Sequence, residues 1–414
     1  MDQISLSRPK KTLKGRITLP TSKSISNRVL IIKELCNDEF NIKNLSDSDD
    51  TQKLSSILSD NRDGAANAFN VGAAGTTMRF LTAYFSLLHG ERLLSGSPRM
   101  NKRPIKILVD CLRAMGASIK YLGEDGYPPI KITGTADLSD EISIDPSVSS
   151  QYISALLLIS PSLESGLTVY FKGEFVSKSY VEMTLHLMSE FGIAHKQTPN
   201  SITILPQRYS TNYIPKESYP IEGDWSAASY WYLIALLSDS VDLTIDGLRQ
   251  HSCQGDSKIA NIFKWFGIKT EYYQDRIVLK KIKNAVKLYC FDKDFTDMPD
   301  MAQTVAVAMC SQKIPGTLTG LSTLKIKETD RILALANELR KFGAVVETGD
   351  DYLRIKKYKN ATDNQIETYE DHRMAMAFAP LSSISPIVIH NPNVVTKSYP
   401  QFFEHLKQVG FKVL

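Results

Sequence analysis

The sequence predicts an α/β (α+β) fold built from six repeated units, grouped as two similar domains of three. Three observations carry that expectation. First, an apolar helical stripe ends in Gly and releases a short strand-like run at five places. They read LVDCLRAMG-ASIKYL at Gly116, LHLMSEFG-IAHKQT at Gly192, IANIFKWFG-IKTEYY at Gly267, LANELRKFG-AVVETG at Gly343 and FFEHLKQVG-FKVL at Gly410. Gly just past a helix end is the expected left-handed cap, and the spacings of 76, 75, 76 and 67 residues make it an internal repeat. A first copy is read in VLIIKELCNDEFNIKNL, with Asn37 and Asp38 in place of Gly, giving 414/6 = 69 residues per unit. Second, helical stripes alternate with strand patterns such as SITIL and DYLRIKKY. Third, 43% hydrophobic and 23% charged residues make an ordinary globular composition, and 414 residues suffice for two or three domains at roughly 150 each.

The same composition excludes several classes. Lys and Arg total 49 against 45 Asp and Glu, and a net charge of +4 is too small to argue for nucleic acid. Met1 to Pro20 has basic residues but no apolar run of the secretory type. The longest apolar stretches, Ile153 to Ile159 and Tyr230 to Leu237, fall far short of the roughly 20 residues of a membrane span. The cysteines at 36, 111, 253, 290 and 310 show no pairing pattern and no Cys-x-x-Cys, which fits a reducing cytoplasm and neither a disulfide framework nor a zinc site. The seven histidines show no ligand spacing, so no metal is expected.

The polar residues of interest share one placement, the start of a helix. In SKSISNRVLIIKEL, Ser22 or Ser24 can cap, and Lys23, Ser24 and Arg28 fall in the first turns, with Ser24 and Arg28 on one face. In GAAGTTMRFLTAYF a Gly-rich turn at Gly75 precedes Thr76 and Arg79. Ser149, Ser150 and Gln151 open an apolar helix, and EGDWSAASYWYL opens at Asp224. Pro299 suits the first helical position, with Asp300 next. Lys327, Glu328 and Arg331 are placed at another start, and His372 and Arg373 at a last one. Helix N-termini carry free N–H groups and about half a positive charge, so they favour anions. Cations are disfavoured there, and their recurrence points to a multiply anionic ligand. There is no G-x-x-x-x-G-K-[ST], H-E-x-x-H or G-x-S-x-G to suggest a P-loop, a zincin or a hydrolase elbow.

At these residues the sequence resembles the 5-enolpyruvylshikimate-3-phosphate (EPSP) synthase family. The resemblance runs nearly end to end and in order: LPTSKSISNR, GAAGTTMR, SPRMNKRPI, SVSSQ, VSKSYVEMTLHLM, EGDWSAASY, MPDMAQT, KETDR, DHRMAM and KSYPQFFEHL. It implies two similar domains, each of three βαβαββ units. It implies a transfer of the enolpyruvyl group of phosphoenolpyruvate (PEP) to shikimate 3-phosphate by addition and elimination, without cofactor or metal. It places residues 22–222 on the shikimate 3-phosphate side and residues 1–21 with 223–414 on the PEP side, with the active site in the cleft between them. The expected protein is a cytoplasmic monomer whose partners are these two small molecules, with no nucleic acid and no membrane.

The resemblance also implies roles. Lys23, Ser24, Arg28, Ser149, Ser150, Gln151, Ser177, Tyr180, Asp300 and Lys327 bind shikimate 3-phosphate. Lys23, Gly75, Arg99, Gln151, Arg331, Arg373 and Lys397 bind PEP. Asp300 takes the hydroxyl proton, and Glu328, or Lys23, protonates the methylene carbon. The two substrates carry about −5 to −6 in total, which seven motif cations (Lys23, Arg28, Arg99, Lys327, Arg331, Arg373, Lys397) are of the order to balance. His372 is expected to be structural. Ala73, Phe80, Ser179 and Thr323 depart from the usual Asn, Pro, Pro and Asn. The UDP-N-acetylglucosamine enolpyruvyl transferases are the nearest alternative, but their reactive-Cys loop corresponds here to GSPRMNKRP, which has no Cys; Cys111 reads as packing. A protein that only binds would not need both Asp300 and Glu328.

Overall fold

The computed structural model describes every residue except 1, 9–10, 136, 148, 174, 215–217 and 361–362. Val148 of the SVSSQ segment therefore lies outside the described residues. Gly116, Gly192, Gly267, Gly343 and Gly410 all take positive φ, between 86° and 116°. Each ends a helix and opens a strand, as at Lys106–Ala114 and Ser118–Tyr121, or Arg331–Lys341 and Ala344–Thr348. The expected first copy is different. Helix Lys23–Leu35 ends at an extended Cys36, and neither Asn37 nor Asp38 is left-handed. The matching helix is the next one, Asp49–Arg62, followed by Gly64 at φ 66°. The misplacement has a physical reason. The chain passes from Gly64 directly to strand Ala68–Asn70 of the next sheet without an intervening hairpin, so this unit is shorter than the rest.

Strands form five four-stranded sheets and one two-stranded sheet among the described residues. The four-stranded sheets share one pattern, a parallel pair followed by two antiparallel pairings. In one, Ala68–Asn70 runs parallel to Gly90–Ser95, which is antiparallel to Ile130–Gly134, itself antiparallel to Ser118–Tyr121. The parallel pair is bridged by helix Gly75–Ser86, the helical crossover that parallel strands require. The two-stranded sheet pairs Asn41–Lys43 with Ser218–Pro220.

The chain divides into two compact units, Ser22–Ile221 and Met1–Thr21 with Glu222–Leu414. Each holds three of the six sheets. The N-terminal residues belong to the second unit because they complete two of its sheets. Gln3–Ser7 pairs with Ile387–His390 and Lys412–Val413, and Thr12–Thr18 runs parallel to Ser240–Asp246. Glu222 goes with this unit too. Its buried carboxylate accepts hydrogen bonds from Trp225 Nε1 (3.0 Å), Arg249 N (3.1 Å), Ser252 Oγ (2.6 Å) and Gln254 Nε2 (2.9 Å), all from the same unit.

Within each unit the crossover helices are its core. Helices Gly75–Ser86 and Ser150–Ile159 in one, and Trp225–Leu236, Ala302–Ser311 and His372–Phe378 in the other, are buried along nearly their whole length. They are apolar all round because they have no solvent face. What polarity they carry is concentrated at their N-termini, where the chain comes out of the first strand of each unit.

Candidate active site

In the Glu222–Leu414 unit the starts of three core helices converge. Asp371 caps helix His372–Phe378 by accepting from Arg373 N (2.8 Å). Asp224 caps Trp225–Leu236 by accepting from Ser226 N (2.8 Å). Asp300 sits in the 3-10 turn Pro299–Met301 that runs into Ala302–Ser311. Helix Arg331–Lys341 is capped by Asp330, so Lys327 and Glu328 lie in the loop before it and not in its first turn as expected. The Asp330 cap bonds Leu333 N and takes the helix start for itself.

Arg331 is the hub. Its side chain is only 2% exposed. Nε and Nη2 donate to the two oxygens of Asp371 (2.6 and 3.3 Å), Nη1 donates to Asp300 (2.8 Å), and Nη2 to Glu328 (2.8 Å). Arg373 Nη2 donates to the other Asp300 oxygen (3.0 Å), Lys397 Nζ donates to the other Glu328 oxygen (2.6 Å), and Lys327 Nζ stands 3.8 Å from Asp300. Four cations thus face three carboxylates, 4 − 3 = +1. Burial alone would raise the Asp300 pKa, but Arg373, Lys327 and Arg331 outweigh it and hold the carboxyl well below its usual range. Burial opposes the charge on Arg331 as well, and Asp371, Glu328 and Asp300 reverse that and raise it. His372, 3.6 Å from Asp371, is buried beside the cap.

The Ser22–Ile221 unit holds a second cluster. Ser22 caps helix Lys23–Leu35, and Lys23 Nζ lies 3.1 Å from Asp50. The Arg28 guanidinium is buried and donates to Thr184 Oγ1 (2.7 Å), Ser24 O (2.8 Å), Ser154 Oγ (3.2 Å) and Tyr180 O (3.2 Å). Phe80 lays its ring 5.5 Å from that guanidinium. Ser149 caps helix Ser150–Ile159 by accepting from Gln151 N (3.3 Å), and Gln151 Nε2 donates to Thr76 Oγ1 (3.2 Å). Ser177 is left-handed at φ 57° and buried just ahead of helix Lys178–Glu190.

The comparisons with known proteins fall on this chain end to end. The family model for EPSP synthase (3-phosphoshikimate 1-carboxyvinyltransferase) matches residues 7–406. The chain belongs to the EPSP synthase family. It is 45% identical over 406 residues to a 3-phosphoshikimate 1-carboxyvinyltransferase of Bacteroides fragilis, covering 97% of this chain and 96% of the relative. A Vibrio atlanticus protein of the same name is 35% identical, covering 99% and 100%. In fold it is similar to the EPSP synthase of Acinetobacter baumannii (TM-score 0.77, 23% identity, all of both chains covered). The enolpyruvyl transferase NikO of Streptomyces tendae is similar as well (TM-score 0.72, 14% identity, 100% and 98% covered). These place the two-domain enolpyruvyl transferase fold on the chain.

Against the EPSP synthase motifs, one residue was missed from the sequence. A Cβ on Gly75 would stand 2.7 Å from Nη1 of Arg103. It is thus Arg103, buried, whose guanidinium lies on the Gly75 turn, while Arg99 in the same SPRMNKRPI segment is exposed. The signal available was the Arg-Pro pair: the chain turns at Pro104, and Pro104 O accepts from Arg79 Nη2 (2.8 Å) and Tyr152 OH (2.6 Å), which ties Arg103 inward. Thr323, in place of Asn, is buried, and its Oγ1 has no hydrogen-bond partner among the described residues.

Proposed function

We infer that this EPSP synthase family chain transfers the enolpyruvyl group of PEP to the 5-hydroxyl of shikimate 3-phosphate, giving EPSP and inorganic phosphate. The observation that carries the mechanism is the pairing of Asp300 and Glu328 on one buried arginine, each also held by a second cation. Asp300 takes the proton of the 5-hydroxyl as its oxygen bonds to the central carbon of PEP. Glu328 takes up a proton as PEP draws Lys397 away and supplies it to the methylene carbon, with Lys23 as the rival donor. The tetrahedral adduct then loses that proton and expels phosphate. One carboxylate accepting and one donating is the arrangement such a reaction requires.

The electrostatics support a switch in partners. Arg373 and Lys397 are spent on Asp300 and Glu328. The carboxylate and phosphate of PEP compete for the same cations. Drawing Arg373 away removes one of the charges that keep Asp300 weakly basic, so the base strengthens as substrate arrives.

PEP is bound by Arg331, Arg373, Lys397, Lys23, Gln151, Gly75 and, in this reading, Arg103 rather than Arg99. Ser149, Ser150 and Ser177 take the 3-phosphate with Lys327. Arg28, with its donors on Ser24, Thr184, Ser154 and Tyr180, holds Ser24 and Tyr180 beside the same ligand. The protein acts as a monomer in the cytoplasm.

The test is phosphate release from purified protein given PEP with and without shikimate 3-phosphate. Release requiring both supports the transferase; no release even with both, and none with UDP-N-acetylglucosamine in place of the acceptor, removes it. Asp300→Ala and Glu328→Ala each cut kcat by about 10²–10⁴ if they are the proton carriers. Unchanged turnover in either variant removes its assigned role.

A further inference from the structure

Behind Arg373 lies a further carboxylate that the reaction as described does not use. Asp256 sits in the 3-10 turn Gly255–Lys258 and is buried. Its Oδ2 accepts a short hydrogen bond from Ser226 Oγ, and its Oδ1 has no hydrogen-bond partner among the described residues. Ser226 Oγ in turn accepts from Arg373 Nη2 at 3.3 Å. Ser226 itself is fixed by Asp224, which accepts from its backbone N–H.

We propose that Asp256, acting through the Ser226 hydroxyl, is a positioning residue that holds Arg373 in place for PEP. The inference rests on the reading of Arg373 as a PEP ligand. Its logic is directional. A hydroxyl has one proton; Asp256 takes it, so the lone pairs of Ser226 are left facing the guanidinium. Without Asp256 the hydroxyl is free to turn its proton toward Arg373, which has only donors. Arg373 Nη2 holds two partners, Asp300 and Ser226. PEP competes with Asp300 for that guanidinium, whereas the Ser226 hydroxyl is a neutral acceptor that an exchange of carboxylates does not itself remove.

The cost of the arrangement argues that it is kept for a reason. Burial pushes the Asp256 carboxyl up to about 6, against the pull of Arg373. A purely structural account is that Asp256 serves the N-terminus of helix Trp225–Leu236, where negative charge is favourable. The two accounts differ in what they move. A structural role moves the melting temperature and leaves the PEP KM alone; a positioning role moves the PEP KM.

The experiment is steady-state kinetics and thermal melting on the full chain. Ser226→Ala raises the PEP KM by about tenfold, the scale of one hydrogen bond to a charged group, and shifts the shikimate 3-phosphate KM by no more than about twofold. Ser226→Thr, which keeps the hydroxyl, returns most of the loss. Asp256→Ala raises the PEP KM similarly, and the double variant is no worse than the poorer single one, because both break the same chain. Arg373→Ala is the control. If it leaves the PEP KM unchanged, the parent reading of Arg373 fails. If it raises the PEP KM but Ser226→Ala does not, or both substrates' KM values rise together, or the double variant is additive, the positioning role is overturned. Should Asp256→Ala not fold, the contrast between Ser226→Ala and Ser226→Thr decides alone.

Discussion

Replacing Gly75 with Ala puts a methyl group 2.7 Å from Nη1 of Arg103 and 3.0 Å from its Cζ and Nη2. Ordinary contact begins at 3.4 Å, so the guanidinium must retreat by 3.4 − 2.7 = 0.7 Å. Gly75 opens helix Gly75–Ser86 and is not among the glycines with positive φ, so Ala meets no backbone strain. The atoms it strikes are the far end of a flexible side chain. Folding stability should therefore stay within about 1 kcal/mol of the parent, the scale of the helix propensity gained. Function should not be spared, because Arg103 is displaced from the turn where PEP is read to bind. Misplacement on this scale costs about 10- to 100-fold in PEP KM. The assay is PEP kinetics, with a urea melt as the folding control. Arg103→Ala closes a double-mutant cycle: in that background Gly75→Ala should cost little more. Unchanged PEP KM, or a full loss that persists without Arg103, refutes the argument.

Arg99→Ala, by contrast, should leave PEP KM within about twofold, as for an exposed side chain, and a rise matching that of Arg103→Ala refutes the reassignment. Asp371→Ala strips Arg331 of its bidentate partner and the adjacent helix of its cap, and urea unfolding should show a loss of about 3–5 kcal/mol; a loss under about 1 kcal/mol contradicts the buried-pair account. Asp256, faced by Arg373, Asp300 and Asp224, titrates near 6 in the fold against about 3.9 unfolded, so its charge is a cost that grows as pH rises between those values. Asp256→Asn removes that cost, and its stability relative to the parent should improve by about 2 kcal/mol from pH 4 to 7; a pH-independent difference is the contrary result.

The repeat was legible because a helix that must hand over to an antiparallel hairpin needs a left-handed residue, and Gly is the residue that takes it without strain. Where the hairpin is missing, the spacing shifts, and the first copy was assigned one helix too early. Gly64 carried the correct signal, in SDNRDG, but at 52 residues from Gly116 it fell outside the period. The pairing of Gln3–Ser7 with the last strands of the chain had no local signal at all, since strand partners remote in sequence leave no trace in either segment.

The candidate site was legible as a set of cations at helix starts and illegible as a charge balance. Counting Lys23, Arg28, Arg99, Lys327, Arg331, Arg373 and Lys397 against the substrates treats each as unspent. The fold has already spent most of them on carboxylates: Lys23 on Asp50, Arg331 on Asp371, Asp300 and Glu328, Arg373 and Lys327 on Asp300, and Lys397 on Glu328. Apart from Glu328 and Arg331, three residues apart, these acids and bases stand 27 to 73 residues apart, and such pairing cannot be counted along a chain, yet it decides what binding is worth. An anion entering such a site exchanges one carboxylate for another, so the net attraction is far smaller than the tally of cations implies. What the exchange does accomplish is chemical. On the proposed reading, the carboxylates released are the two that carry protons, and they are released only where an anion takes their place. A site with the same cations and no paired acids would bind more tightly and would have no base to free. On the proposed reading, the ion pairs of Asp300 with Arg331 and Arg373 are the means by which substrate charge is converted into basicity at Asp300.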